Sequence, residues 1–239
     1  DANLSHIPVI SLSAQGFEKN AGFKITVPFL IRAIRSIALG DLLMRVLYRT
    51  RPYEKIPGSA NALYEKWNLK AEKELKSLSL RKYHKLIKGI ISDFDNLPLA
   101  PVKKVRVGVV GEILVKFHPT ANNRIVELIE SEGGECVMPD LLDFLFYTFS
   151  TGIFRHKELA FPKKTENNAK LFVWILELFR NYIKKQLNKS HRFESPSIIY
   201  DMMKGVDDIV QLGNIMGEGW FLTAEMVELI HSGAPSIAC

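Results

Sequence analysis

Cysteine is scarce in this chain: 239 residues contain two, Cys136 and Cys239. Two thiols cannot build a disulfide framework, which excludes the small cross-linked scaffolds of secreted proteins. Nothing at the amino end has the charged lead and apolar core of a signal peptide. A reducing, cytoplasmic setting is therefore expected. Long apolar runs are missing too. The best candidate for a membrane span, Leu141 to Phe154, is interrupted by Asp143 and falls short of the roughly 20 residues that a spanning helix needs. It reads as a core helix, and no membrane partner is expected.

Catalytic signatures are equally sparse. The chain has no G-x-x-x-x-G-K-[ST] loop, no G-x-S-x-G elbow and no H-E-x-x-H pair. The glycines at Gly108 and Gly111 do not make the G-x-G-x-x-G that opens a dinucleotide-binding helix. His6, His84, His118, His156, His191 and His231 are scattered without metal-ligand spacing. His118-Pro119 precedes a helix and offers a contact for an anion, but it reads better as a surface-turn histidine. No catalytic residue is assigned, and the chain is not expected to be a complete enzyme by itself.

What is present is ordinary globular material: 47% apolar residues, 24% charged residues and a net charge of +6. That basic balance favours anionic partners without choosing one. Arg180 to Arg192, with Tyr182 and His191 interleaved, is the densest basic stretch. Helix ends gather such residues for the dipole, so nucleic acid is not the expected partner.

Ile7 to Ser13 reads as a short buried strand and Gly16 to Gly22 as a loop. Thr26 ahead of Pro28 marks a helix start. Apolar residues then recur at three and four from Phe29 to Tyr48, with a break expected at Gly40-Asp41, where Asp41 would cap a second segment. Asn61 to Asp93 reads as one long helical region with a solvated face rich in Lys and Glu. After Pro98 and Pro101 the character changes. Lys104 to Gly111 is the continuous apolar run of a parallel strand covered on both faces. Ala121 to Glu132 follows as a helix with Ile125, Leu128 and Ile129 inward, closed by Gly133-Gly134. Glu135 to Met138 completes a right-handed βαβ unit. Helices are expected at Leu141 to Phe154, Ala169 to Leu187, Ser197 to Leu212 and Leu222 to His231, then a third strand at Pro235 to Ala238.

The expected architecture is thus α/β, with a flavodoxin-like or Rossmann-like parallel sheet, a large helical insertion and a helical N-terminal part. Residues 1–100 would be the mainly helical part, following the end strand of a preceding α/β unit. Residues 101–239 would be the α/β domain, with its insertion at about 141–212. The chain opens on Asp1 rather than methionine and reads as a segment of a longer protein, cut short after Cys239.

In open α/β sheets, ligands bind beyond the carboxyl ends of the strands. Glu112 and Cys239 both fall there if their strands are neighbours. Glu112 is either a turn carboxylate accepting backbone N–H groups or a polar group facing a ligand. A lone cysteine such as Cys239 is commonly a small buried hydrophobe. Cys136, inside a strand, is given no role.

Several phrases carry a resemblance: "GDLLMRVLYRTRPYE" (Gly40 to Glu54), "VGVVGEILVKFHPTANN" (Val107 to Asn123), "ESEGGECVMPDLLDFLFY" (Glu130 to Tyr147) and "GEGWFLTAEMVELIHSGAPSIAC" (Gly217 to Cys239). In that order they resemble the large activase-type proteins related to the 2-hydroxyglutaryl-CoA dehydratase activator. The matching region lies behind their ATP-binding activase domains and is itself similar to 2-hydroxyacyl-CoA dehydratase subunits and double-cubane-cluster proteins. The resemblance covers nearly the whole chain. It implies an oxygen-sensitive iron–sulfur protein of anaerobic bacteria that takes electrons from an ATP-dependent activase domain of the same or a partner chain. It also implies a metal-ligand role for Cys239, with Glu112, Asn122 and Asn123 near the cofactor. In the family the pattern continues past the position of Cys239 with a glycine-cysteine-proline region. Because a cluster is usually held by about four thiolates, this chain alone is expected to be colourless and redox-silent. The alternatives are a cluster-free domain binding acyl-CoA or another phosphorylated ligand, and an architectural interaction domain.

Overall fold

The computed structural model describes residues 25–239. The expected strand at 7–13 and the loop at 16–22 lie outside the described residues.

The first helix, α1 (Val27–Thr50), starts where Thr26 and Pro28 predict. The Thr26 hydroxyl accepts the Phe29 N–H at 3.3 Å, and the proline sits in the first turn, where a missing donor costs nothing. Its buried face is a row at helical spacing: Ala38, Leu39, Leu42, Leu43, Val46 and Leu47. The expected break at Gly40-Asp41 does not occur, and α1 runs through it. Asp41 does cap a helix, but one a hundred residues away: its carboxylate accepts the N–H groups of Leu141 and Leu142 at 2.8 and 2.9 Å.

Residues 61–93, expected as one helical region, form two helices, α2 (Ser59–Glu74) and α3 (Leu80–Asp95). Ser79 restarts the helix by accepting the Lys82 N–H, a capping signal inside what looks like continuous charged periodicity. On α3, Tyr83, Leu86, Ile87, Ile90, Ile91 and Phe94 make one buried stripe.

After the prolines comes β1 (Arg106–Val109), then the short helices α4 (Ile113–Phe117) and α5 (Ile125–Ser131), then β2 (Glu135–Val137). On α5 the inward residues are Val126 and Ile129. Leu128, expected inward, is 52% exposed, because the helix begins only at Ile125 and is rotated by its two-residue left-handed entrance at Asn123 and Arg124. Gly133, at φ 86°, ends the helix in the left-handed conformation open to glycine.

The remaining helices are α6 (Leu141–Glu158), α7 (Lys163–Leu187), α8 (Ile199–Val206) and α9 (Gly219–His231), and the last element is β3 (Ser236–Ala238). Helices α6 and α7 pack closely at Gly152. A Cβ there would stand 2.9 Å from the Ala169 Cβ, so glycine permits the approach. The helices of 141–212 do not stand apart. Leu142, Phe146, Val173, Leu176 and Ile199 share one apolar core with Leu39, Leu42, Ile87 and Phe94 of the first hundred residues. Burying each such side chain is worth about 1.5–3 kcal/mol.

Among the described residues, three strands form an all-parallel sheet in the order β2-β1-β3. Val109, Cys136 and Met138 pack with Val126 and Ile129 of α5, and Met44 and Tyr48 of α1 close that side. Val110, Val137 and Ile237 meet Leu229 and Met226 of α9. The sheet is therefore covered on both faces, as the apolar run of β1 predicts. The molecule is a mainly helical α/β protein built on a small sheet. Among the described residues, no helix is long and apolar enough to cross a membrane.

Candidate functional site

Register brings the carboxyl ends of β1 and β3 together. Val109 lies opposite Ala238, and the Val110 N–H donates to the Ala238 carbonyl at 3.0 Å. Cys239 follows immediately and is exposed. Glu112, two residues past Val110, is on the same rim. Both residues therefore lie at the carboxyl end of the sheet. Cys136 is the opposite case. It is buried on β2 among Val109, Val126 and Ile129, and burial pushes its thiol up to about 12.

Glu112 is the N-cap of α4. Its carboxylate accepts the Val115 N–H at 3.0 Å, so the capping role is real, and the residue is also exposed. Asn122 is committed to the turn before α5: its amide donates to the Lys116 carbonyl at 2.9 Å and its oxygen accepts the Ile125 N–H at 3.4 Å. Asn123 is exposed and holds a left-handed φ of 54°, a conformation that asparagine tolerates better than most residues. Both asparagines shape the loop beside the rim. His118 also belongs to this turn, where its Nδ1 accepts the Ala121 N–H at 3.3 Å.

Beside this rim lies a buried ion pair that no sequence motif marks. Lys116 of α4 is buried, with its ammonium 2.7 and 2.9 Å from the two oxygens of Glu225 on α9. The rings of Phe117 and Phe221 flank the ammonium, their centroids at 5.1 and 6.0 Å. Burial outweighs the attraction of Lys116 and pushes the Glu225 carboxyl up to about 7. Glu218 joins them from the turn before α9, where Gly217 and Glu218 are both left-handed. Its carboxyl is raised by burial and by the charge of Glu112, against the pull of Lys116. One of its oxygens is buried without a hydrogen-bond partner. The available signal was a charged residue inside an otherwise apolar run: Lys116 in "EILVKF" and Glu225 in "FLTAEMV".

A cavity of about 360 Å³ lies elsewhere, between the sheet and helices α8 and α9, lined by Arg45, Met138, Asp143, Asp201 and Glu228 among others. None of Glu112, Asn122, Asn123 and Cys239 lines it. Among the described residues, no group of three or more His, Cys, Asp and Glu side chains is arranged to hold a metal ion.

The basic stretch at 180–192 begins in the interior, not on the surface. Arg180 is buried against Asp143 and Glu177, and Tyr182 stacks on His84 with ring centroids 3.7 Å apart.

No family model matches the chain, and no curated protein and no solved structure matches it.

Proposed function

We propose that the chain is one wall of an iron–sulfur site in an electron-transfer protein linked to an ATP-dependent activase, with the parallel sheet belonging to a flavodoxin-like or Rossmann-like domain. The observation that supports this reading is the exposed Cys239 thiol at the carboxyl end of β3, on the rim shared with Glu112. The described residues do not fit a whole cluster. They offer one accessible thiol, since Cys136 is buried, whereas a cluster takes about four protein ligands. In this reading Cys239 contributes one ligand and the others come from outside the described residues. The Lys116–Glu225 pair and Glu218 set the charge of the floor beside it. Alkylation tests the assignment. In a polypeptide that carries the further ligands this reading requires, anaerobic loading with iron and sulfide protects Cys239 from a maleimide, and undiminished labelling after loading counts against it.

A second reading, an interaction domain docking through its long helices, is favoured by one surface. Leu171, Trp174 and Leu178 recur along α7 with exposures of 50, 58 and 53%, and Phe172 beside them is 44% exposed. Apolar residues grouped this way on a surface mark contact sites more often than single ones do. A Trp174→Lys substitution separates the readings: it abolishes association with a neighbouring domain in the second and leaves iron binding untouched in the first.

A further inference from the structure

At the rim opposite Cys239, where the strands begin, a groove of about 360 Å³ is lined by Arg49, Lys103, Lys104, Arg106 and Arg192, with Tyr53 and the apolar 99–102 segment. Among the described residues, no acidic one lines it. Its size lies within the roughly 300–1,000 Å³ of small-molecule sites.

The cations are held in place from behind. Glu135, at the start of β2, is 1% exposed and accepts from three donors: the guanidinium of Arg49, Nε of Arg106 at 3.1 Å and the Tyr53 hydroxyl at 2.6 Å. Arg106 also donates to the Ser232 carbonyl. Arg192 is pinned by the carbonyls at the end of α3, donating to Phe94 and Leu97. A guanidinium has about five N–H groups, so each arginine keeps donors beyond those it spends on the protein.

The charge is not neutralised. Among the described residues, three carboxylates bear on these cations: Glu135, Asp95, which attracts Arg192, and Glu194, 4.0 Å from Arg106. Against five cations they leave an excess of two positive charges. Arg49 and Arg192 also repel each other. Preset guanidinium forks with surplus charge match tetrahedral oxyanions, and one phosphate dianion cancels the excess.

We propose that this groove binds a small molecule through a phosphate group. Arg49, Arg106 and Arg192 form its fixed base, and Lys103 and Lys104 cover it from the 101–105 segment. The inference does not depend on the iron–sulfur reading, since the groove and Cys239 occupy opposite ends of the strands.

Calorimetric titration with inorganic phosphate at pH 8, at constant ionic strength and with chloride as the reference anion, tests it. Saturable binding of one phosphate per chain, tighter than chloride, is expected. Arg192→Ala weakens it by about tenfold or more, the scale of one lost charge-assisted contact. Because Arg192 also caps α3, the double variant Lys103→Ala/Lys104→Ala provides an independent reading and weakens binding comparably. Lys157→Ala/Lys164→Ala removes the same charge from a distant exposed surface and leaves binding within about twofold, as expected for screened remote charges. Absence of saturable binding, or an equal loss in the distant variant, overturns the proposal.

Discussion

Lys116 and Glu225 form a two-pronged ion pair sealed from solvent, their side chains 1% and 0% exposed, between α4 and α9. It joins the element after β1 to the helix that covers the other face of the sheet. Breaking such a pair from one side strands a charge, which costs about 3–5 kcal/mol, whereas replacing both members with apolar groups is often neutral. Lys116→Met therefore lowers the urea-unfolding free energy by that amount, and adding Glu225→Leu restores most of it. Equal losses in the single and double variants would contradict the pairing.

The pH dependence has a definite sign. Burial raises the Glu225 carboxyl from 4.5 to about 7, and burial raises Asp143 from 3.8 to about 6 against the opposing charge of Arg180. Each group binds its proton more tightly folded than unfolded. Their stabilising contribution is complete below the unfolded values and is lost as pH rises through about 6 and 7. The melting temperature is expected to fall between pH 5 and pH 8, and Glu225→Gln removes the upper part of that fall. A melting temperature that rises over this range in the parent would contradict the assignment.

Asp41 caps a helix that it does not belong to. Asp41→Ala removes both acceptors from the Leu141 and Leu142 N–H groups and is expected to cost about 0.5–2 kcal/mol, with Asp41→Asn costing less because one acceptor remains. Thermal unfolding monitored by circular dichroism measures both.

These cases mark what the sequence makes legible. Signals that act within a turn were readable: Thr26 with Pro28 starts α1, Gly133 stops α5, and the apolar run of β1 forecasts a strand covered on both faces. Ser79 was readable in principle but is masked by the charged periodicity on either side of it. Long-range partners were not readable. Asp41 meets Leu141, Lys116 meets Glu225, and Glu135 collects Arg49 and Arg106, all across separations that no local spacing encodes. Glu112 and Cys239 were legible as neighbours of one rim, because parallel neighbouring strands share an end. Lys116, Glu218 and Glu225 were not, since their position depends on how α9 docks.

Thiol reactivity distinguishes the two cysteines. Cys239 is exposed, while Cys136 is buried and its thiol is pushed up to about 12. A maleimide is expected to label Cys239 alone in the folded protein, with Cys136 reacting only in denaturant. Mass spectrometry of the labelled peptides reads the outcome, and native labelling of Cys136 would contradict the packing of β2.

The most direct test of the proposed iron–sulfur role is the iron-to-protein ratio, after anaerobic reconstitution, of a polypeptide that carries the further ligands the proposal requires, measured for the parent sequence, Cys239→Ser and Cys136→Ser. The account predicts that iron falls in Cys239→Ser and stays at the parent level in Cys136→Ser. Iron content unchanged by Cys239→Ser would contradict it.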